Sequence, residues 1–105
     1  MKELIEIVWN NRDLLKEIKY SDAVKSTLEK LNKGELKVAE KIDSKWIVNE
    51  WVKKAVILFF PLMEMKTIEL GPFEFHDKIK LKTNYKEQGV RVVPHAIARY
   101  GSFIH

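Results

Sequence analysis

The sequence predicts an α+β fold with three helices, one β-hairpin and extended C-terminal segments, and three observations carry that reading. Two stretches near the N-terminus repeat apolar residues at helical spacing. Residues 36–48 follow a strand–turn–strand pattern. That hairpin runs directly into the most apolar helical stretch of the chain, residues 51–60. From Pro61 onward, short extended segments alternate with glycine and proline turns.

Residues 2–18 read as one amphipathic helix. Leu4, Val8 and Leu15 fall on a common stripe, joined by Ile7, Leu14 and Ile18, with Trp9 at its margin as a partly buried packing residue. Tyr20-Ser21-Asp22 interrupts the pattern, and Ser21 is the expected N-cap of a second helix ending at Asn32. Its apolar face is Val24, Leu28 and Leu31. Lys30 and Lys33 suit the negative end of the helix dipole, and Gly34 suits the left-handed position just past a helix.

In residues 36–42 the apolar positions mostly alternate, as a half-buried strand requires. Asp43-Ser44-Lys45 supplies turn chemistry, and Trp46-Ile47-Val48 returns as the second strand. Asn49 is the expected N-cap of the third helix, with Glu50 in its first turn. Trp51, Val52, Ala55, Val56, Ile57, Leu58, Phe59 and Phe60 then cover nearly its whole circumference. Such a helix needs cover on most sides, so a neighbouring domain or a second copy of the chain is expected. Trp51, Ala55 and Leu58 are assigned to a face packed on the hairpin and the first two helices. Ile57 and Phe60 are assigned to the face that meets the neighbour.

Further on, residues 66–70 and 73–77 read as short strands around a Gly71-Pro72 turn, with Phe73 and Phe75 on one face. Ile79 and Leu81 continue an extended pattern, and residues 84–89 are a loop or a single helical turn. Val90-Arg91-Val92-Val93-Pro94 reads as a buried strand carrying one arginine. Residues 95–105 lack helix caps. There Ile97 and Phe103 lie six apart with Gly101 between, a hint of one hexapeptide rung of a parallel β-helix.

A chain of 105 residues supports one domain and one modest core. Without cysteine it can form neither a disulfide framework nor a thiolate metal site. Its charged N-terminal stretch does not read as a signal peptide, and its longest uncharged apolar run is far too short to span a membrane. The expectation is a cytoplasmic protein with no membrane partner. The net charge of +4 raises nucleic acid as a partner. The lysines are interleaved with acids, however, and Lys78, Lys80 and Lys82 read as the solvated face of an edge strand, so no nucleic-acid partner is expected.

Catalytic constellations are sparse. The glycines are too scattered to cradle a phosphate, and His76, His95 and His105 have no metal-ligand spacing. His76-Asp77 has the composition of an oriented acid–base pair, but reads as a turn with two solvated groups. Ser102 lacks any neighbour that would make it a nucleophile. No catalytic, cofactor-binding or metal-binding residue is assigned from the chemistry alone.

Several stretches together resemble one known family. They are Leu36-Lys37-Val38-Ala39-Glu40-Lys41-Ile42-Asp43 with the following Trp46, then Trp51-Val52-Lys53-Lys54-Ala55-Val56, and Phe75-His76-Asp77-Lys78. Asn84-Tyr85, Gly89-Val90-Arg91-Val92-Val93-Pro94 and the closing Arg99-Tyr100-Gly101-Ser102-Phe103-Ile104 complete the set. The combination resembles the N-terminal domain of the tetrahydrodipicolinate N-succinyltransferases, trimeric acyltransferases of lysine and diaminopimelate biosynthesis.

The resemblance implies that residues 1–94 are an N-terminal helical and hairpin domain, and that residues 95–105 begin a left-handed β-helix of hexapeptide repeats, truncated here. It implies succinyl-CoA as co-substrate and tetrahydrodipicolinate as substrate. The catalytic residues and the CoA site would lie beyond His105, leaving this stretch inactive alone. Arg91, in the family's G-x-R-V-V-P motif, becomes the implied substrate-binding residue, since a guanidinium offers a fixed fork of donors to a carboxylate.

Three departures accompany the resemblance: Pro61 where an arginine or similar residue is expected, so that the third helix ends or kinks there, His95 in place of a second proline, and a shortened segment between Tyr85 and Gly89. The alternatives are a stand-alone interaction or assembly module without catalysis and a small basic nucleic-acid-binding protein.

Overall fold

A computed structural model describes all of residues 1–105. It has four α-helices and two separate two-stranded antiparallel sheets. Helix α1 (Lys2–Asn10) stops well short of the expected residue 18, and a 3-10 turn over Arg12–Lys16 follows. The cause is the Asn10-Asn11 pair. The Asn10 amide donates back to the Glu6 carbonyl at 3.1 Å, and Asn11 is extended at φ −146°, ψ 88°. Asparagine competes with the helix for its own backbone bonds, which is why it favours ends. The break resets the helical phase, so one continuous stripe from Leu4 to Ile18 cannot form. Ile5 and Val8 are fully buried, whereas Ile7 and Ile18 face solvent.

Helix α2 (Ile18–Asn32) begins three residues before Ser21. Ser21 is therefore not the N-cap; its hydroxyl donates to the Ile18 carbonyl at 3.2 Å. The C-terminal end is as expected. Gly34 sits at φ +78°, its N–H donating to the Leu31 carbonyl, and the Glu35 N–H reaches the Lys30 carbonyl at 2.9 Å. This double closure satisfies carbonyls that the helix cannot, and the left-handed backbone it needs favours glycine.

Helix α3 (Glu50–Phe59) lies against both, burying Val52, Ala55, Leu58 and Phe59. With Ile5 and Val8 of α1, and Ala23, Val24 and Leu28 of α2, these side chains form the core. Thr27 is buried among them, its hydroxyl donating to the Ala23 carbonyl at 2.8 Å, which removes the cost of an unpaired polar group. Lys54 of α3 pairs with Glu6 of α1 at 2.8 Å. Asn49 occupies the N-cap position, but its amide donates to the Lys37 carbonyl at 2.7 Å instead of to the helix. At Pro61 the α-helix gives way to a 3-10 turn, Phe60–Leu62, as a proline there requires.

Strands β1 (Ala39–Ile42) and β2 (Lys45–Val48) pair across a two-residue turn, so Lys45 belongs to the strand. Asp43 at φ 50° and Ser44 at φ 65° match the twist such a hairpin demands. The hairpin contributes no buried residue, and Trp46 is 72% exposed. The expected packing of α3 on this hairpin is thus corrected. Helices α1 and α2 already cover the buried face of α3, and the short ribbon stands away from them. The Cα radius of gyration of 15.7 Å, above the roughly 13 Å of a compact chain this long, reflects that projection.

Strands β3 (Lys66–Leu70) and β4 (Phe73–Asp77) pair from Lys66↔Asp77 to Leu70↔Phe73, as expected. Of the two expected forms, loop or single helical turn, residues 84–89 take the second: helix α4 (Tyr85–Gln88), closed by Gly89 at φ +71°. Residues 90–94 are not a buried strand: no partner pairs with them, and Val93 is 56% exposed. A strand exists by pairing, and the nearest extended pieces, 80–82 and 98–100, pair with each other.

Leu58→Ala should lower unfolding stability by about 2–5 kcal/mol in urea denaturation, the range for a core cavity. Ile57→Ala, on the exposed side of the same helix, should stay within about 0.5 kcal/mol of the wild type.

Candidate functional site

The chain's densest polar network forms where its C-terminal segment meets the end of α2. Two backbone bonds, Lys82 N–H to Ala98 carbonyl at 2.9 Å and Tyr100 N–H to Lys80 carbonyl at 2.8 Å, join residues 80–82 to 98–100 as a minimal antiparallel ribbon. Asn32, the last residue of α2, holds this ribbon. Its side-chain oxygen accepts from the Lys82 ammonium at 2.6 Å and from the Gly101 N–H at 3.0 Å. Lys82 also reaches the Asn32 carbonyl at 3.3 Å, placing a cation at the negative end of α2.

Beside this clamp the Tyr100 hydroxyl donates to Glu29. That bond holds the Glu29 carboxyl below its ordinary range, against a smaller opposing effect of burial and with help from Lys33. Burial, and then the same bond, pushes the Tyr100 phenol far above its usual value. The Tyr100 ring rests on Phe59, with centroids 5.8 Å apart, and Lys80 lies over its other side at 4.6 Å. Arg99 pairs with Asp77 at 2.9 Å and sits over Phe60. Phe103 packs against Gly34 so closely that an added Cβ would meet its ring at 2.7 Å.

These contacts reassign several residues. Lys80 is exposed, as a solvated edge position should be, although its ammonium lies over Tyr100; Lys82 departs from that reading, being drawn in to bond the end of α2. Lys33 is the C-cap residue of α2, as its place at the negative end of the dipole suits, and its ammonium also pairs with Glu29 at 3.6 Å. His76 and Asp77 do not act on each other: His76 Nδ1 bonds the Thr67 hydroxyl at 2.9 Å, and Asp77 holds Arg99. His95 adopts φ +58°, a conformation closed to proline, and its ring meets Phe73 edge-on.

Arg91 lies on residues 83–97, the loop whose ends the ribbon joins. It is exposed, and its guanidinium makes no ion pair or hydrogen bond within the chain. Val90 and Val92 on either side are half-buried. A cleft of about 660 Å³ opens between α3 and the β3–β4 hairpin, floored by Phe59, Met63, Ile68 and Ile79 and rimmed by lysines. Nowhere do three His, Asp or Glu side chains converge as metal ligands. What the surface offers at this point is an exposed cation without a partner in its own chain. It does not assemble an acid–base pair.

Sequence reasoning missed Asn32, Glu29 and Tyr100, because the bonds that unite them span about 70 positions, far beyond any local pattern. Tyr100→Phe should keep the ring contact with Phe59 and lose the bond to Glu29, costing about 1 kcal/mol in urea unfolding. The wild type should lose this increment as pH falls from the ordinary carboxyl value of 4.5 through the lower folded value of Glu29. The raised phenol acts on the other side, its contribution lost as pH climbs from 10.0 toward the folded value of Tyr100. Unfolding series of both proteins across the acid range test this: their difference should shrink as Glu29 protonates.

Comparison with known proteins bears directly on this arrangement. A family described as "Tetrahydrodipicolinate N-succinyltransferase N-terminal" matches residues 1–62, which contain α1 to α3 and the first hairpin. A 2,3,4,5-tetrahydropyridine-2,6-dicarboxylate N-succinyltransferase of Bordetella pertussis is 43% identical over 99% of this chain and 42% of its own length. The enzymes of the same name from Pseudoalteromonas translucida and Acinetobacter baylyi are 39% and 51% identical, over 99% and 77% of the chain. The chain spans 41% and 32% of those two relatives. Since the match covers the helical core and extends through the clamped C-terminal segment, the chain belongs to the tetrahydrodipicolinate N-succinyltransferase family, with the N-terminal domain of that family in residues 1–62.

Proposed function

We propose that this chain is the N-terminal domain of an acyltransferase that moves a succinyl group from succinyl-CoA to tetrahydrodipicolinate, in the cytoplasmic synthesis of diaminopimelate and lysine. The observation that carries the reading is similarity over 99% of the chain to proteins named for that reaction, each more than twice as long. On this reading residues 95–105 lead into a left-handed β-helix, which carries the catalytic groups and the CoA site in a homotrimer. The domain's own contribution to chemistry is Arg91. An exposed guanidinium with no partner in its own chain is free to take a substrate carboxylate, and its two parallel donors fit one.

Exposed apolar side chains support assembly as well. Trp46, Ile47 and Val48 of the first hairpin, and Leu70 and Phe73 of the second, face solvent, and clusters of this kind mark surfaces covered by partners. The same feature favours the second reading, an interaction module without catalysis. Lys82 and Arg99 are both engaged within the chain, so neither supports a nucleic-acid role.

Reading the gene beyond His105 separates the two: hexapeptide repeats support the enzyme, and a stop codon supports the module. The polypeptide of the whole reading frame, mixed with succinyl-CoA and tetrahydrodipicolinate, should release CoA thiol, whereas residues 1–105 alone should release none above background. In the whole polypeptide, Arg91→Lys should raise KM for tetrahydrodipicolinate about ten- to hundredfold with KM for succinyl-CoA nearly unchanged, as a lost charge-assisted bond predicts. If both constants stay within about twofold, Arg91 has no substrate role.

A further inference from the structure

We propose that Asn32 is a positioning residue for Arg91, acting by clamping the closed base of the 83–97 loop onto the end of α2; the proposal rests on the substrate role of Arg91 given above. Residues 90–94 have no strand partner, and the one backbone bond tying the stretch beside Arg91 to α4 runs from the Val90 N–H to the Tyr85 carbonyl at 2.9 Å. What constrains the loop is its base, and the base has little of its own to hold it. The ribbon of 80–82 with 98–100 has only two backbone bonds, and an isolated pair that short is not stable in water.

Asn32 supplies what the ribbon lacks. One oxygen accepts from both sides of the base, the Lys82 ammonium on the entering strand and the Gly101 N–H just past the leaving one. Because Asn32 ends a helix packed into the core, both strands are referred to the most rigid part of the molecule. Glu29, one turn earlier on α2, takes the Tyr100 hydroxyl, and Gly34, just beyond, admits the Phe103 ring. Three residues of the α2 end and its cap, Glu29, Asn32 and Gly34, thus meet the segment that closes the loop. Closing a loop at its ends removes much of its conformational freedom, so Arg91 is ordered before any ligand arrives.

The test measures amide hydrogen exchange in residues 1–105 and steady-state kinetics in the whole polypeptide. In Asn32→Ala, exchange at Lys82, Tyr100 and Gly101, and across 83–97, should quicken at least about tenfold, while α3 amides keep their protection. Asn32→Asp, which keeps an acceptor oxygen, should restore most of it. In kinetics Asn32→Ala should raise KM for tetrahydrodipicolinate and leave that for succinyl-CoA unchanged. Should Asn32→Ala also loosen α3, Lys82→Met alters the clamp outside the helical core and must show the same selective loosening and KM change. The proposal is overturned if loop exchange is unmoved in these variants, or if the loop loosens with no change in KM while Arg91→Lys does change it. If Arg91→Lys itself has no effect, it is the substrate reading that fails, and the exchange result still judges the clamp.

Discussion

The C-terminal end of α2 is the constraint on which the rest of this structure depends. A helix leaves its last carbonyls without partners, and a buried helix end must find them elsewhere. Here three kinds of partner converge. Gly34 and Glu35 close the last turn from within the chain's own continuation, and Lys82 arrives from 50 positions away to bond the Asn32 carbonyl and side chain. The Gly101 N–H then reaches the same side chain. Satisfying one helix end thereby fixes where the second half of the chain lies against the first. Helix α3 could pack on α1 and α2 without any of it.

The helical core is small for the chain that it supports. Only 11 residues are buried, and all but Ile79 come from α1, α2 and α3. The C-terminal half therefore has little hydrophobic burial of its own and is held mainly by directed contacts: Arg99 to Asp77, Tyr100 to Glu29, and the ribbon at the loop base. Such contacts specify geometry more than they stabilise, because each exchanges a bond to water for a bond to protein. The two projecting hairpins follow the same logic. Their backbone pairing is internally complete, but their apolar faces are open, which in a longer or multi-chain assembly would be the surface left to cover.

What could be read in the sequence was whatever local chemistry decides. Gly34, the Asp43-Ser44 turn, the β3–β4 pair about Gly71 and the change of helix at Pro61 all follow from backbone preferences of the residues present. So did the buried side of α3, where Leu58 is inside and Ile57 outside. The errors fell where one local preference had to be weighed against another. Asn10-Asn11 outweighed an apolar stripe that seemed to continue, and Ser21 was read as a cap although the helix had already begun at Ile18. The loop carrying Arg91 looked like a strand because valine favours strands, but that preference expresses packing against cross-strand neighbours, and residues 90–94 have no paired strand beside them. The clamp was illegible for a different reason, since no periodicity links Asn32 to Gly101.

That error about residues 90–94 changes how Arg91 must be understood. On a strand, a rigid backbone would present the guanidinium, and little ordering would remain to be done when a ligand binds. On a loop, the same economy requires that the loop be held some other way, or affinity is lost to ordering it. The cap of α4 at Gly89, the positive φ of His95 with its contact to Phe73, and the ribbon at the base each remove freedom from the loop at a different point. His95 is instructive here because a proline could not adopt that backbone, so the chain takes a path after Pro94 that the Pro-Pro pattern would forbid. With a single helical turn on one side of Arg91 and a left-handed His95 on the other, the ribbon at the base is where the two ends of the loop are joined.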